Sequence, residues 1–401
     1  MLSDSPRVFT RLVIIARGTD GTTVTPAASG PTAAPDGYEI RPFEPGDAAD
    51  FLELYRTVFD SGRSEAWLDW KYRSNPYVDD VPILIAERGG VLVGARPLFA
   101  LRMRVGDGTA VALQPADTMV HPDHRRRGLF TRLTAAAVDR YRTGAPAFLF
   151  NFPNSASLTG YLDQGWDVVD ELRTYYRIHD PAALAGTAGR PLRVATPLLR
   201  AAARGYVHAR GWGLGRADEE VTVTRHETVP ATALADRYRH RAPAGLHAVR
   251  DAEFYRWRFD EAPAEYTTYL AERAGEPAFG VVVTDERHAG AAVTRIVDVA
   301  PPAVGTDDDP GRAAVVAALR AATRDARDAA AIVAPASPLP REPMAALGFH
   351  ERDTPVLSRV TGATPHVARS IDGDPPSQTV RGVNLLDPGN WTISFAEHDN
   401  C

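Results

Sequence analysis

Two segments of this chain can be laid on each other. Residues 66–77, AWLDWKYRSNPY, match residues 253–264, EFYRWRFDEAPA: Trp67 meets Phe254, Trp70 meets Trp257, Tyr72 meets Phe259 and Pro76 meets Pro263. A strand-like run with Ala-Glu-Arg follows each, LIAERGG at 84–90 and YLAERAG at 269–275. Farther on, LDQGWDVVDELRTYYRI (162–178) resembles MAALGFHERDTPVLSRV (344–360), with Gly165-Trp166 over Gly348-Phe349. Three landmarks in one order mark an internal duplication, which asks for two copies of one unit rather than a single large core. A length of 401 residues suits that organisation.

Hydrophobic residues make up 44% of the chain and charged residues 24%, the balance of a soluble globular protein. The formal net charge of -6 and a pI near 6.0 argue against nucleic acid as the partner. Nearly all the basic residues are arginine, with Lys71 the single lysine, a bias read as the mark of a GC-rich genome. One cysteine, Cys401, cannot form an internal disulfide or a multi-cysteine zinc site; a cytoplasmic location fits, and no metal is expected. The apolar run Leu12–Ala16 is far shorter than the ~20 residues of a membrane span, and no membrane partner is expected. Residues 1–36, with TPAASGPTAAPDG, read as a disordered leader.

Order is expected from Tyr38. Asp47 stands as an N-cap ahead of Phe51, Leu54, Tyr55 and Val58 at helical spacing, and EAWLDWKY continues as helix. PILIAERGG and VLVGARPLFALRMRVG read as a hairpin turning at Gly89-Gly90, with TAVALQPADTMV as the next strand. A helix over roughly 128–142, a strand AFLFNF, a helix from Ser155 to about Gln164 and a strand LRTYYRI complete the unit. The expected units are 37–180 and 216–360, joined by a helical connector over 181–215. Residues 361–401 form an extension without a counterpart, in which NWTISFAEHD is a candidate strand.

The chemistry concentrates in VHPDHRRRGLFTRL, residues 120–133, which joins a strand end to a helix start. The first backbone N–H groups of a helix lack intrahelical partners, and the helix dipole adds positive charge, so such a turn suits a phosphate. Gly128 leaves room for close approach, and Arg125, Arg126 and Arg127 add full charges. A basic helix cap is the plain alternative; a nucleic-acid groove would need basic residues continuing along one face with interleaved aromatics, and the sequence shows no such face. Downstream, Asn154 is followed by Ser157, Tyr161, Gly165 and Trp166. Ser157 and Tyr161 fall on one helix face and can address one ligand.

These stretches resemble motifs A and B of the GNAT acyltransferase family. Arg125-Arg126-Arg127-Gly128-Leu129-Phe130 follows the pattern Arg/Gln-x-x-Gly-x-Gly/Ala, with Phe130 in place of the small residue, and Val120-His121-Pro122-Asp123 looks like the family's strand end. The resemblance implies an α/β (α+β) protein of two GNAT-like domains in tandem, each a mixed, mostly antiparallel sheet flanked by helices. It implies a CoA pyrophosphate on the amides of Arg126 to Phe130 beside Val120, with Arg125 and Arg127 near the phosphates, and Asn154 and Ser157 toward the pantetheine arm. Tyr161 would protonate the departing thiolate; a phenol and an alkyl thiol both ionise near ~10, so the transfer is nearly thermoneutral. The attacking amine must lose a proton, to Asp117, to His121, to the C-terminal carboxylate or to a water chain. The expected activity is transfer of acetyl from acetyl-CoA to a primary amine on a small molecule or peptide, by a monomer or weak homodimer. A non-catalytic acyl-CoA module and an aminoacyltransferase of the tandem type are the rival expectations. The second copy has Asp307-Asp308-Asp309 where the loop should lie and no tyrosine at the Tyr161 position, so it is expected to bind no CoA and to wall the acceptor cleft.

Overall fold

A computed structural model of the chain describes residues 36–184, 201–206, 220–288, 290–302, 311–352, 354, 362–372 and 377–399. The leader up to residue 35, most of the connector, and Asp307-Asp308-Asp309 lie outside them.

The first unit opens with β1 (Tyr38–Pro42) and α1 (Ala48–Phe59), whose Phe51, Leu54 and Tyr55 turn inward as their spacing predicts. Asp47 precedes α1 without capping it; its carboxylate accepts instead from Arg41 and the Glu44 amide. A four-residue helix, α2 (Glu65–Leu68), is capped by the Ser64 hydroxyl and widens into a π-helical turn over Asp69–Arg73. β2 (Ile83–Arg88) and β3 (Val91–Val105) form the expected hairpin, with Gly89 and Gly90 both at the left-handed φ that its tight turn needs. The next strand is broken. β4 (Gly108–Pro115) stops, Asp117 takes a φ of 42°, and β5 (Met119–Val120) resumes against Gly94 and Ala95 of β3. Then come α3 (Leu129–Tyr141), β6 (Pro146–Asn151), α4 (Ser155–Leu162), β7 (Asp167–Glu171) and β8 (Thr174–Ile178).

The second unit repeats the plan. Its strands are β9 (Val221–His226), β11 (Thr267–Arg273), β12 (Glu276–His288), β13 (Ala291–Ala300), β14 (Ala331–Pro335) and β15 (His350–Glu351), while β10 (His247–Ala248) pairs with β3 of the first sheet. Helix Ala252–Tyr255, capped by Asp251, widens into a π-helical turn over Arg256–Asp260, as α2 does. Helix Gly311–Asp325 stands between β13 and β14 where α3 stands between β5 and β6.

With β16 (Pro365–Ser370), the sheet orders coincide position by position: β1-β2-β3-β4-β6-β16-β7 and β9-β11-β12-β13-β14-β8-β15. The parallel pair is the same in both, β4 with β6 and β13 with β14. The sixth position is exchanged between units. β8 leaves the first unit and lies between β14 and β15, while β16 returns from the C-terminal segment to lie between β6 and β7. Neither sheet is therefore contained within 37–180 or 216–360. The C-terminal extension does have a counterpart, and its strand is Pro365–Ser370 rather than NWTISFAEHD, where Trp391 makes an isolated bridge to Leu246 and Phe395–Glu397 forms a 3-10 turn. Hydrophobic period identifies a strand without naming the sheet that receives it. One core cluster runs from the first sheet across the contact between units to Phe254, Trp257 and Phe259; a second lies between the second sheet and helix Gly311–Asp325.

Candidate functional site

The turn between β5 and α3 has the backbone features that an anion site requires. Arg126 and Gly128 both take left-handed φ values, 62° and 73°, which folds the chain tightly into the helix start. Among the described residues the amides of Arg126 to Phe130 donate to no protein acceptor, whereas Arg132 N–H bonds the Gly128 carbonyl and begins the helical ladder. An ideal Cβ placed on Gly128 meets nothing within 4 Å, so the space outside the turn is open. Arg125 and Arg127 are exposed and tied to the turn through the carbonyls of Val120 and Asp123. Unsatisfied amides, a helix dipole and guanidinium groups tied to the turn are the chemistry that can hold an oxyanion or a phosphate.

Phe130 does not face that opening. Its ring meets Tyr161 edge-on at 5.4 Å between centroids and lies against Gly160, where an added Cβ would come within 2.7 Å of Phe130 Cε1. The large residue thus joins α3 to α4. Leu129 is buried beneath the turn.

Tyr161 is 2% exposed, and its hydroxyl accepts from Asn151 Nδ2 at 2.8 Å. Burial raises its ionisation above the ordinary phenol range, while the Arg96 cation and the Asn151 hydrogen bond pull the other way. Arg96 is fully buried, with its guanidinium carbon 4.9 Å from the Phe130 ring centre and 5.1 Å from that of Tyr161. It donates to Thr118 Oγ1 at 2.7 Å, and its Nε and Nη2 have no hydrogen-bond partner. A buried cation without a carboxylate against it is costly, and here it faces a phenol. Asn154 caps α4: its side-chain oxygen accepts from the amides of Ala156 and Ser157 and from the Ser157 hydroxyl.

Asp117 lies in a different cluster. It accepts from Lys71 Nζ at 2.5 Å, from Tyr72 OH at 2.6 Å and from Tyr55 OH at 3.4 Å. Lys71 is 2% exposed and also pairs with Asp399 at 3.5 Å. Burial raises the Asp399 carboxyl above the usual carboxylate range against the pull of Lys71, and the neighbouring Asp117 charge adds to the rise. Its charge also reaches Tyr161, Tyr55 and Tyr72. His121 stands apart on the rim, its Nδ1 accepting from the Asp123 amide at 3.3 Å.

Asp399 is delivered by the C-terminal tail. Fully buried Arg250 binds Asp298 and Glu397 at about 3 Å, and Arg258 donates to the carbonyls of Ala396 and His398. Beside Asp399 lies a cavity of about 230 Å³, walled by Phe152 of the first unit, Thr174 and Tyr176 of β8, Arg295 of β13, and His398. Sequence reasoning missed Arg96, Asn151, Lys71 and Asp399.

The fold is a duplicated α/β unit, with the turn at Gly128 and the buried Tyr161 both in its first copy. Residues 39–169 match the family model described as acetyltransferase (GNAT) domain. No curated relative matches the chain. Among solved structures, the chain is similar to a GCN5-related N-acetyltransferase from Anabaena variabilis, with 12% identity and a TM-score of 0.57 over 84% of this chain and 73% of that one. It is similar also to a GCN5-related N-acetyltransferase from Kribbella flavida (16% identity, TM-score 0.52, 83% and 71% covered). A tandem GNAT protein from the clavulanic acid biosynthesis pathway matches at 16% identity and a TM-score of 0.51, over 84% of this chain and 99% of that one. At these identities the likeness is one of fold. The family model thus covers the first unit, and across both units the chain shares the fold of these structures.

Proposed function

We propose that this protein is an N-acyltransferase that moves an acyl group, acetyl in the simplest case, from an acyl-CoA thioester to a primary amine. The carrying observation is the unpartnered amide run of Arg126 to Phe130 at the start of α3, in the same unit as Tyr161. The pyrophosphate would sit on those amides, with Arg125 and Arg127 alongside. Asn154 has its side-chain oxygen committed to the α4 cap, which leaves only its Nδ2 to meet the pantetheine arm. The amine nitrogen attacks the thioester carbonyl, the C–N bond forms and the C–S bond breaks. The acceptor ammonium first gives one proton to a carboxylate, so that the free amine attacks; Tyr161 gives its proton to the departing sulfur, and the second proton lost by the nitrogen restores the phenol. Asn151 donates to the Tyr161 oxygen, which leaves the phenol proton free to point at the sulfur.

Asp399 suits the base role better than Asp117. Asp117 accepts from Lys71 at 2.5 Å and from Tyr72 and Tyr55, whereas Asp399 meets Lys71 only at 3.5 Å, and burial raises its proton affinity against that pull. The second unit carries no CoA in this reading and supplies a wall of the acceptor cleft.

Calorimetric titration with acetyl-CoA tests the donor site, and release of free thiol in the presence of amines tests transfer. Micromolar binding with amine-dependent thiol release is the expected result. Binding without any amine-dependent release would make the chain a non-catalytic acyl-CoA module, and no binding would reduce the turn to a basic cap.

A further inference from the structure

Sheet register equates Asp117 with Asp298. Ala86 of AERGG and Ala271 of AERAG hold the same place in equivalent hairpins and pair with Gly94 and Phe279, so Ala95 corresponds to Gly280. Met119 pairs with Ala95 and Ala300 with Gly280, and Asp117 and Asp298 each stand two residues before them. The same duplication lays Arg63 on Arg250, each directly before the residue that caps a short helix, Ser64 or Asp251.

In the second unit this arginine is saturated with acceptors. Fully buried Arg250 donates through Nε to Asp298 at 3.0 Å, and its Nη2 reaches Ser394 at 2.9 Å and Glu397 at 3.0 Å. The Ser394 hydroxyl donates in turn to Asp298 at 2.8 Å. The second carboxylate on Arg250 is thus brought by the C-terminal tail.

In the first unit the tail brings its carboxylate elsewhere, since Asp399 pairs with Lys71. Arg63 is exposed, its Nε donates to Tyr55 OH at 3.2 Å, and Tyr55 OH donates to Asp117 at 3.4 Å. Its guanidinium carbon lies 5.6 Å from the Tyr55 ring centre and 5.2 Å from that of Trp67, two buried rings. Among the described residues its Nη1 and Nη2 have no protein acceptor. Thr118, the residue after Asp117, accepts from Arg96, whose guanidinium carbon lies 5.1 Å from the Tyr161 ring centre. Hydrogen bonds therefore tie successive residues of the break between β4 and β5 to Arg63, through Tyr55, and to Arg96 beside Tyr161.

We propose that Arg63 is the anion anchor of the acceptor cleft and takes a carboxylate of the acceptor on Nη1 and Nη2, as Arg250 takes Glu397. The acceptor is then an amine that also carries an acid group. The proposal rests on the acyltransferase reading for its role, but its binding chemistry is tested alone. A planar fork of N–H groups, held against aromatic rings, matches a carboxylate in a way that a point charge does not.

The probes are N-acetyl derivatives of the common amino acids, which have the form of the product and carry a carboxylate without an ammonium, beside their methyl esters. In calorimetric titrations of the full chain at least one acid should bind, with its ester weaker by about tenfold, the loss of a hydrogen-bonded charge. Arg63→Gln should bring acid and ester to the same affinity. Arg63→Lys should keep part of the difference, because it holds the charge without the fork. The comparison of acid with ester on the unaltered chain needs no variant to fold. No acid binding, esters binding as well as acids, or a difference that survives Arg63→Gln would overturn the proposal. Failure of the acyltransferase reading shows separately, as no heat on titrating acetyl-CoA alone.

Discussion

Trp70 and Trp257 exchange hydrogen bonds: Trp70 Nε1 donates to the Trp257 carbonyl at 2.6 Å, and Trp257 Nε1 donates to the Trp70 carbonyl at 3.0 Å. Each sits in the π-helical turn of its own unit, so the duplicated segment meets its copy about a local two-fold axis. The widened turn frees a carbonyl that a regular helix would keep. Both rings are buried, and Phe99 stacks on Trp257 at 5.4 Å.

Trp70→Phe should therefore destabilise the chain by about 1–3 kcal/mol, since it strands the buried Trp257 carbonyl. Trp257→Phe should act likewise, and the double variant should cost less than the sum because the two rings share one contact. Denaturant unfolding of the four proteins measures this; full additivity would mean that the pair does not couple the units.

Gly128→Asn should weaken acetyl-CoA binding at least tenfold with little change in stability. Asparagine tolerates a left-handed φ, and the Cβ position is open, so the fold has no reason to yield. A β-branched residue at this φ would strain the backbone and confound the result. Calorimetry beside a thermal melt separates the two effects. Unchanged affinity would remove the turn from the donor site.

Much of this site was legible in the sequence, and the remainder was hidden for a physical reason. Arg125 to Phe130 and Tyr161 fall where a strand, a turn and two amphipathic helices must place them, because local periodicity carries that information. Asn151 and Arg96 left weaker signals, polar residues inside the apolar runs AFLFNF and VLVGARPLFAL, where an unpaired charge is rare. Lys71, the lone lysine of an arginine-rich chain, carries no local pattern that marks a site; it is the buried ammonium between Asp117 and Asp399. Asp399 gave no signal, since its place depends on a tail anchored by Arg250 and Arg258 from the other unit. The exchange of β8 and β16 was equally silent, because strand pattern does not specify a distant partner.

Tyr161→Phe should lower turnover at least a hundredfold while acetyl-CoA affinity changes little, the range expected for loss of one general acid. Arg96→Met should keep the phenol but remove the cation that stabilises its conjugate base. It should lower kcat less than Tyr161→Phe does, and move the alkaline limb of the kcat–pH profile upward. Rescue of the profile by Arg96→Lys would assign the effect to charge. A profile identical to the unaltered enzyme would leave Arg96 a packing residue only.

Stability should fall on mild acidification. His247, buried against Tyr238, and His366, buried under Trp391, are each pushed down to about 3 by burial. Their unfolded counterparts titrate near ~6.5. Above that pH the folded chain bears no penalty; below it the unfolded chain binds protons that the folded one refuses. Going from pH 7.5 to 5.5 should then cost roughly 2–3 kcal/mol for the pair. Denaturant melts at the two pH values read this directly, and His366→Gln should flatten the slope.

Arg250 is fully buried between Asp298 and Glu397, and it holds the segment that delivers Asp399 to Lys71. Arg250→Met would leave two buried carboxylates facing each other without a cation. Removing one partner of such a cluster costs about 3–5 kcal/mol. A milder variant, Arg250→Lys, keeps the charge but not the forked geometry that reaches Asp298, Ser394 and Glu397 together. It should fold, release the tail, and lose amine-dependent thiol release while retaining acetyl-CoA binding, because the arginines of the Gly128 turn are tied to Val120 and Asp123 and not to the tail. Limited proteolysis should show the C-terminal segment cleaved faster. A lysine variant with a protected tail and full activity would show that Asp399 reaches the site without this anchor.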